Sequence, residues 1–511
     1  MSFSLLPLLL LLLSLLPLSL SLSLPRGTLI NCGAAVKSEI DGREWLPDTG
    51  FVSGGTSRNL TTPGLVPILS TARSFPNYPH RKFCYTVHVY RNAKYMVRTT
   101  YYYYGSDSPP VFDQIVDGTF WAVVNTTEDY ANGMSSYYEG VFLAQGKTMS
   151  VCLGSNNYTE SDPFISALEF VILEDSLYNS TDFKSHGLSL VARNGFGYTG
   201  PIIRYPDDQF DRFWVPFEEL NPLIPINVSN SNASVSGMWN LPPSKVFESE
   251  LTTGQAEAME LDWPPGSVSE SKYYIALYFA SGDSSGSRVI NISINGVQYY
   301  KDLDVKPGGL VVYATQWPLS GSTRITMTPS GRSIGGALIN AGEVFDVLPL
   351  GGTTLTRDVI ALQGVKQSLQ NPPPGWSGDP CLPRQYSWTG ITCSSGPRIR
   401  VVSLNLTSMG LSGSLSPRIA NMTALSNILL GKNKFTGPIP DLSSLKLLEK
   451  LHLEDNHFSG NIPSSLGSID SLHELFLQNN CLTGEVPDSL VGKSGLDLRT
   501  SGNSFSAPPP T

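Results

Sequence analysis

At 511 residues the chain exceeds the roughly 250 to 300 residues at which a single hydrophobic core stops growing, so more than one domain is required. A content of 41% hydrophobic, 15% charged and 10% aromatic residues excludes a disordered or fibrous polypeptide. The net charge of −9 is spread along the chain without a run of Lys and Arg, which excludes the electrostatic footprint of a nucleic-acid binder.

Residues 1–24 form a nearly unbroken apolar stretch from Leu5 to Leu24, closed by Pro25 and Arg26. This pattern predicts a secretory signal peptide. The stretch is longer than the usual apolar region of about 7 to 15 residues and lacks a small-x-small cleavage site, which leaves an uncleaved anchor as the alternative. With Arg26 on its C-terminal side, such an anchor would place the body in the cytosol. Against that stand nine N-x-S/T sequons, at Asn59, Asn125, Asn157, Asn179, Asn227, Asn232, Asn291, Asn405 and Asn421. They predict a glycosylated protein secreted to the cell surface or apoplast. No second run of about 18 apolar residues follows, so no membrane span is expected after the leader.

From 28 to 347 the sequence alternates short runs rich in Val, Ile, Tyr and Phe with Gly, Asn, Asp and Pro. Examples are residues 95–105, 273–282 and 289–300, the last containing the turn signal Asn295-Gly296. The pattern predicts an all-β sandwich, divided into two modules at about 28–178 and 185–347. Near Gly351 the period changes. Val359, Ile360, Leu362, Val365 and Leu369 recur at helical intervals, predicting one amphipathic helix inside a cap of 351–395. Cys381 and Cys393, 12 residues apart around Trp388, predict a local disulfide in a secreted chain.

Residues 396–505 repeat. The column Met409, Asn433, Asn456, Asn480 and Asn503 advances by 24, 23, 24 and 23 residues, within the range of leucine-rich repeats. Each unit turns Leu or Ile inward, while its asparagine supplies hydrogen bonds to backbone groups on the turning chain. Residues 506–511 read as a disordered tail.

These signatures resemble plant receptor-like proteins and receptor kinases whose ectodomain joins malectin-like modules to leucine-rich repeats. The segments that carry the likeness are INCG (30–33), RSFPNYPHRKFCYTV (73–87), SDPFISALEF (161–170), IIRYPDDQFDRFWVP (202–216) and GDPCLP with YSWTGITC in the cap. The resemblance implies a mainly β fold: tandem malectin-like sandwiches, then a short solenoid with an N-terminal helical cap. Family members usually continue into a membrane helix, often with a kinase. Nothing follows Thr511 here, so a soluble product is the expectation.

Sugar sites stack aromatic faces on pyranose C–H surfaces, which makes Tyr101 to Tyr104 a candidate cluster. On a strand successive side chains point to opposite faces, so Tyr101 and Tyr103 face away from Tyr102 and Tyr104, at most half can face a ligand, and core packing competes with ligand contact. Animal malectin binds a glucose disaccharide with loop aromatics that follow a YFAE-like strand end. The resemblance therefore points to Tyr278 and Phe279 in YFAS, with Ser281 in place of the acid, and to Tyr103 and Tyr104 in the first module. Arg204, Asp207, Asp208, Asp211 and Arg212 offer three carboxylates, but the spacing lacks a calcium loop's glycine and distal glutamate. A structural salt-bridge network is expected instead, and no metal site.

On the solenoid, residues between the inward leucines form two columns: Asn405, Leu429, His452, Phe476, Arg499 and Thr407, Gly431, Glu454, Gln478, Ser501. Leu429, His452, Glu454, Phe476, Gln478 and Arg499 make a candidate contact strip for a protein or peptide. Among the other cysteines, Cys32 with Cys84 is the expected pair, which leaves Cys152 without an assigned partner and Cys481 as an isolated thiol.

No nucleophile motif, paired metal-ligand histidines, Walker loop or kinase signature occurs, so no catalytic residue and no cofactor is expected. The sequence therefore points to an extracellular recognition protein. Its expected ligand is a cell-wall oligosaccharide or a peptide, and its expected partner a receptor kinase or co-receptor. A wall-adhesion protein without signalling is the alternative, followed by a glycan-active enzyme, whose two carboxylates need not be close in sequence.

Overall fold

In the computed structural model the described residues are 26–105, 108–217, 224–227, 233–253, 257–282, 288–396 and 398–506. The leader and residues 507–511 lie outside them, as do Asn232 and the side chain of Asn227. Strand accounts for 44% of the chain and helix for 9%, which makes it mainly β. Two compact units are present: one of Thr28–Phe170, Asp182–Ser189 and Leu348–Thr511, the other built on Val171–Thr181 and Leu190–Val347.

In the first unit, Lys94–Tyr101 runs antiparallel to Ser136–Leu143, from Tyr101 opposite Ser136 to Lys94 opposite Leu143. A four-stranded sheet faces this pair, in the order Lys82–His88, Thr148–Gly154, Phe112–Val116, Thr119–Val124. The two layers meet where Tyr101 packs edge-on against Phe112, at 5.7 Å, and Trp121 against Phe142, at 5.2 Å. This is the interleaving of inward side chains that defines a sandwich. Arg98 is fully buried, with its guanidinium 2.9 Å from Glu139 and 3.3 Å from Glu169.

The expected Cys32–Cys84 bridge is overturned: Cys84 is joined to Cys152, and Cys32 is a buried thiol. The reason is register. Cys84 and Cys152 lie directly opposite each other on neighbouring antiparallel strands, a pairing that their separation of 68 residues does not reveal. Burial pushes the Cys32 thiol far above its ordinary range.

The cap belongs to this same unit. Its helix, Thr356–Ser368, buries Ala361, Leu362 and Val365 and leaves Ile360 exposed. Asp358 at its first turn takes a bidentate pair from Arg400 at 2.8 and 3.1 Å and accepts from the Val401 N–H, fixing the helix to the first repeat. Trp376 and Trp388 stack at 5.1 Å beside the Cys381–Cys393 disulfide, which is present as expected. The cap also packs against the first sandwich. Tyr386 donates to Asp113 at 2.7 Å, and Gly378 leaves no room for a Cβ, which would fall 2.5 Å from the Cys84 sulfur. Lys82 donates to the carbonyls of Asp379, Leu382 and Tyr386.

Beyond the cap, five parallel strands stack in order: Val401–Asn405, Asn427–Leu429, Lys450–His452, Glu474–Phe476 and Asp497–Arg499. The asparagine column sits under the turns. Asn456 donates to the carbonyls of Leu430, Leu453 and Glu454 and accepts from the Phe435 N–H at 2.9 Å. Asn433 and Asn480 repeat the pattern.

In the second unit, Met259–Phe279 and Leu310–Pro329 form one long antiparallel ribbon, and Ala341–Pro349 flanks the C-terminal half of the first strand. Arg288–Ile294 and Val297–Val305 join as a hairpin whose turn is Asn295-Gly296, with φ of 48° and 76°. Both residues occupy the left-handed region that such a tight turn requires. Arg193 and Glu343 pair at 3.0 Å with no exposure.

Two outcomes follow. Asn456→Ala strips donors from three carbonyls and orphans a buried N–H, so it should cost about 2 to 4 kcal/mol, read as a lower denaturant midpoint. Burial holds the Lys82 amine down at about 7 against its ordinary 10.5. Between these values the unfolded chain binds the extra proton, so the desolvation penalty is fully present below about pH 7 and fades as pH rises. Thermal melts should climb from about pH 7 to 9, and Lys82→Met should flatten that climb.

Candidate functional site

The aromatic residues nominated by sequence are placed unequally. The Lys94–Tyr101 strand ends at Tyr101, so strict alternation does not extend to Tyr103 and Tyr104. Both pack on Phe164, at 5.4 and 5.9 Å, and on each other at 5.9 Å. Tyr103 is buried and Tyr104 half-buried. Tyr278 and Phe279 are completely buried, which removes them as ligand contacts. Their strand is flanked by others on both sides. The Tyr278 hydroxyl accepts from Asn240 at 3.2 Å, its ring meets Trp214 edge-on at 5.7 Å, and burial drives its phenol well above the ordinary value.

The acid-rich segment is consumed by pairing, as its arginines suggest. Arg204 clasps Asp211 at 3.0 and 3.1 Å, Arg212 reaches Asp208 at 2.9 Å, and Lys245 reaches Asp207 at 2.9 Å. Asp208 also accepts from the Trp214 indole at 2.8 Å. Among the described residues no cluster of metal-ligating side chains is found.

The solenoid strip is brought together. Asn405, Leu429, His452, Phe476 and Arg499 stand in register on successive strands. His452 stacks on Phe476 at 4.1 Å and 18°, and the Arg499 guanidinium lies 4.0 Å over the same ring. Beside them on the same face Glu474 accepts from Lys450 at 2.7 Å and sits 2.8 Å from the His452 ring nitrogen. Its bond from Lys450 foremost holds the Glu474 carboxyl below the ordinary range.

In the neighbouring column Glu454 lies across Gly431, where an added Cβ would meet its Oε1 at 2.1 Å. Glu454 Oε2 and Gln478 Oε1 are shielded from solvent and accept no hydrogen bond among the described residues. The strip thus combines a preordered aromatic-cation stack with two acceptors that lack donors.

Sequence reasoning missed one feature. In the second unit a cavity of about 320 Å³ is lined by Tyr299, Tyr300, Tyr313 and Trp317. The signal was present in the aromatic pairs of residues 299–300 and 313–317, but no motif marked it.

Comparison with known proteins agrees with this architecture. The malectin-like domain matches residues 30–347, the leucine-rich-repeat N-terminal domain 355–394, and leucine-rich repeats 447–469 and 471–492. A leucine-rich repeat receptor-like serine/threonine-protein kinase of Arabidopsis thaliana is 29% identical over 403 residues, covering 75% of this chain and 45% of the kinase. A probable LRR receptor-like serine/threonine-protein kinase from the same plant is 27% identical over 479 residues, covering 86% and 49%. The chain therefore spans about half the length of these curated relatives.

Among solved structures, the ANXUR2 extracellular domain from Arabidopsis thaliana superposes with a TM-score of 0.53 at 16% identity, covering 63% of this chain and 96% of that one. The complex of plant peptide RALF23 with FER and LLG2 gives 0.52 at 18%, covering 64% and 96%. At these identities the likeness is one of fold. The molecule thus falls in the class of proteins that couple a malectin-like β-sandwich domain to a leucine-rich-repeat solenoid. It belongs to the malectin-like domain family, in the arrangement with leucine-rich repeats found in plant receptor-like kinases.

The core assignment of Tyr278 has a measurable consequence. Tyr278→Ala should cost about 3 to 5 kcal/mol of stability in the second unit, whereas an exposed sugar contact would cost almost none, and a denaturant titration separates the two.

Proposed function

We propose that this chain is a secreted, non-catalytic recognition protein of the cell surface, which binds wall carbohydrate or peptide and associates with a receptor kinase or co-receptor through its solenoid. The observation that carries the reading is the preordered stack of His452, Phe476 and Arg499 across three successive strands of the solenoid. Aromatic and arginine anchors are the residue types that dominate protein interfaces. The relatives support an ectodomain role, and one structural neighbour was solved with a peptide and LLG2. Asn405 is exposed at the head of the strip and carries a sequon, so a glycan there would direct a partner to the later repeats.

The test is co-immunoprecipitation of leucine-rich-repeat receptor kinases from the plant cell surface with the full secreted chain. Phe476→Ala and Arg499→Ala should each lower recovery about tenfold without changing the melting temperature by more than a few degrees. Undiminished recovery from both variants would remove the strip from the interface.

A further inference from the structure

The last leucine-rich repeat presents an open edge. Among the described residues Asp497–Arg499 is the final strand of its sheet and pairs on one side only, with Glu474–Phe476. Ser504–Phe505 is likewise final in its own sheet. The core is open at the same end. Leu498 and Phe505 are half-buried, whereas Leu475 and Leu482, in the same places one rung earlier, are completely buried. An end of this kind leaves unpaired backbone groups and apolar surface that a terminal unit ordinarily covers.

The backbone fixes which groups face outward. The Leu477 N–H donates to the Arg499 carbonyl and the Asp497 N–H to the His473 carbonyl, both at 2.8 Å, so Asp497 and Arg499 spend their backbone groups on the preceding rung. Successive residues of a strand turn their N–H and C=O to opposite sides, which points those of Leu498 at the open edge. The N–H groups of Leu406, Leu430, Leu453 and Leu477 each donate to the following rung. Thr500 holds the same place on the last rung, and among the described residues no further rung receives its N–H. The side chains of Asp497 and Arg499 are exposed and pair with each other at 2.7 Å.

We propose that a second copy of this chain docks on this edge, the two Asp497–Arg499 strands pairing antiparallel about a twofold axis at Leu498. In that register the two Leu498 residues exchange both backbone hydrogen bonds, and the Thr500 N–H of each copy meets the Leu496 carbonyl of the other. Asp497 then stands opposite the partner's Arg499, and Arg499 opposite the partner's Asp497, on one face of the joined sheet. The order acid, leucine, base selects a second copy as the occupant, because it matches itself under a twofold. Sliding the register by two residues sets Asp497 against Asp497 or Arg499 against Arg499, which like charges disfavour. The half-buried Leu498 and Phe505 come under cover in the same contact. The last of the nine sequons is Asn421, so no N-glycan stands on the chain from Asn433 onward to obstruct this end. The contact goes beyond the recognition role proposed above, and it draws on Asp497, which that role does not use.

The test is sedimentation velocity on the full secreted chain from about 1 to 100 µM, the range of a weak interface of small area. The chain carries Cys481→Ser throughout, so that no disulfide between exposed thiols joins two copies. The parent should pass from monomer to dimer across that range. Asp497→Arg and Arg499→Asp each place two like-charge pairs in the contact and should raise the dimer dissociation constant at least about tenfold. An equimolar mixture of the two variants restores both opposite pairs and should recover the dimer. Both side chains are exposed, so unchanged melting temperatures check that each variant folds. The proposal is overturned if the parent stays monomeric throughout, if either charge reversal dimerises like the parent, or if the mixture is as monomeric as its components. A parent that dimerises only once residues 507–511 are removed would assign the edge to the chain's own tail and overturn it as well.

Discussion

A strand that is hydrogen-bonded along both edges and covered on both faces has nothing left to offer a ligand, and this constraint sorts the aromatic residues of the molecule. The C-terminal half of Met259–Phe279 lies between Leu310–Pro329 and Ala341–Pro349. Tyr274, Tyr278 and Phe279 are thereby enclosed, and their hydroxyls and rings serve the core. One strand further out Tyr300 and Tyr313 are partly exposed, because Leu310–Ala314 and Val297–Val305 each have an edge that pairs with no strand among the described residues. In the solenoid the constraint acts through length. Strands of three to five residues send a leucine or isoleucine inward, so recognition on that sheet is left to the flanking positions.

Buried charge reinforces this division. Each unit encloses an arginine against glutamate: Arg98 with Glu139 and Glu169 in one, Arg193 with Glu343 in the other. A buried pair adds little net stability over an apolar packing of similar volume, while removing one partner is severe. Such pairs also tolerate few alternative registers, since a one-residue slip would carry a charge to the wrong face. The segment from Arg204 to Arg212 follows the same logic, its three carboxylates each matched to a cation. Acid density that resembles a metal loop in one dimension is, in three, the fastening of an irregular stretch.

Much of this was legible in the sequence because the governing physics is local. The repeat interval, the Asn295-Gly296 turn, the helical spacing after Gly351 and the Cys381–Cys393 bridge all depend on neighbours within a few dozen residues. What escaped depends on which strands become neighbours. Cys84 meets Cys152 because two distant strands pair in that register, and no spacing rule singles that pair out over Cys32. The burial of Tyr278 depends on Ala341–Pro349 arriving beside it, some 60 residues later. The cavity of the second unit depends on where one strand stops pairing. Ile360 shows the same limit on a smaller scale: it fits the helical stripe, yet it is 49% exposed, because the packing face is set by the cap and first repeat rather than by the periodicity alone.

The proposed strip asks little of a partner. A five-strand solenoid presents only a few side chains in register. Such a surface suits a chain that gains affinity by engaging more than one thing at a time, since a second attachment made within the same complex acts at high effective concentration without any stronger contact. A glycan on the Asn405 sequon would sharpen the point: by occupying the first rung it would confine a partner to the His452, Phe476 and Arg499 stack, making the strip smaller but more specific and raising its dependence on a second site.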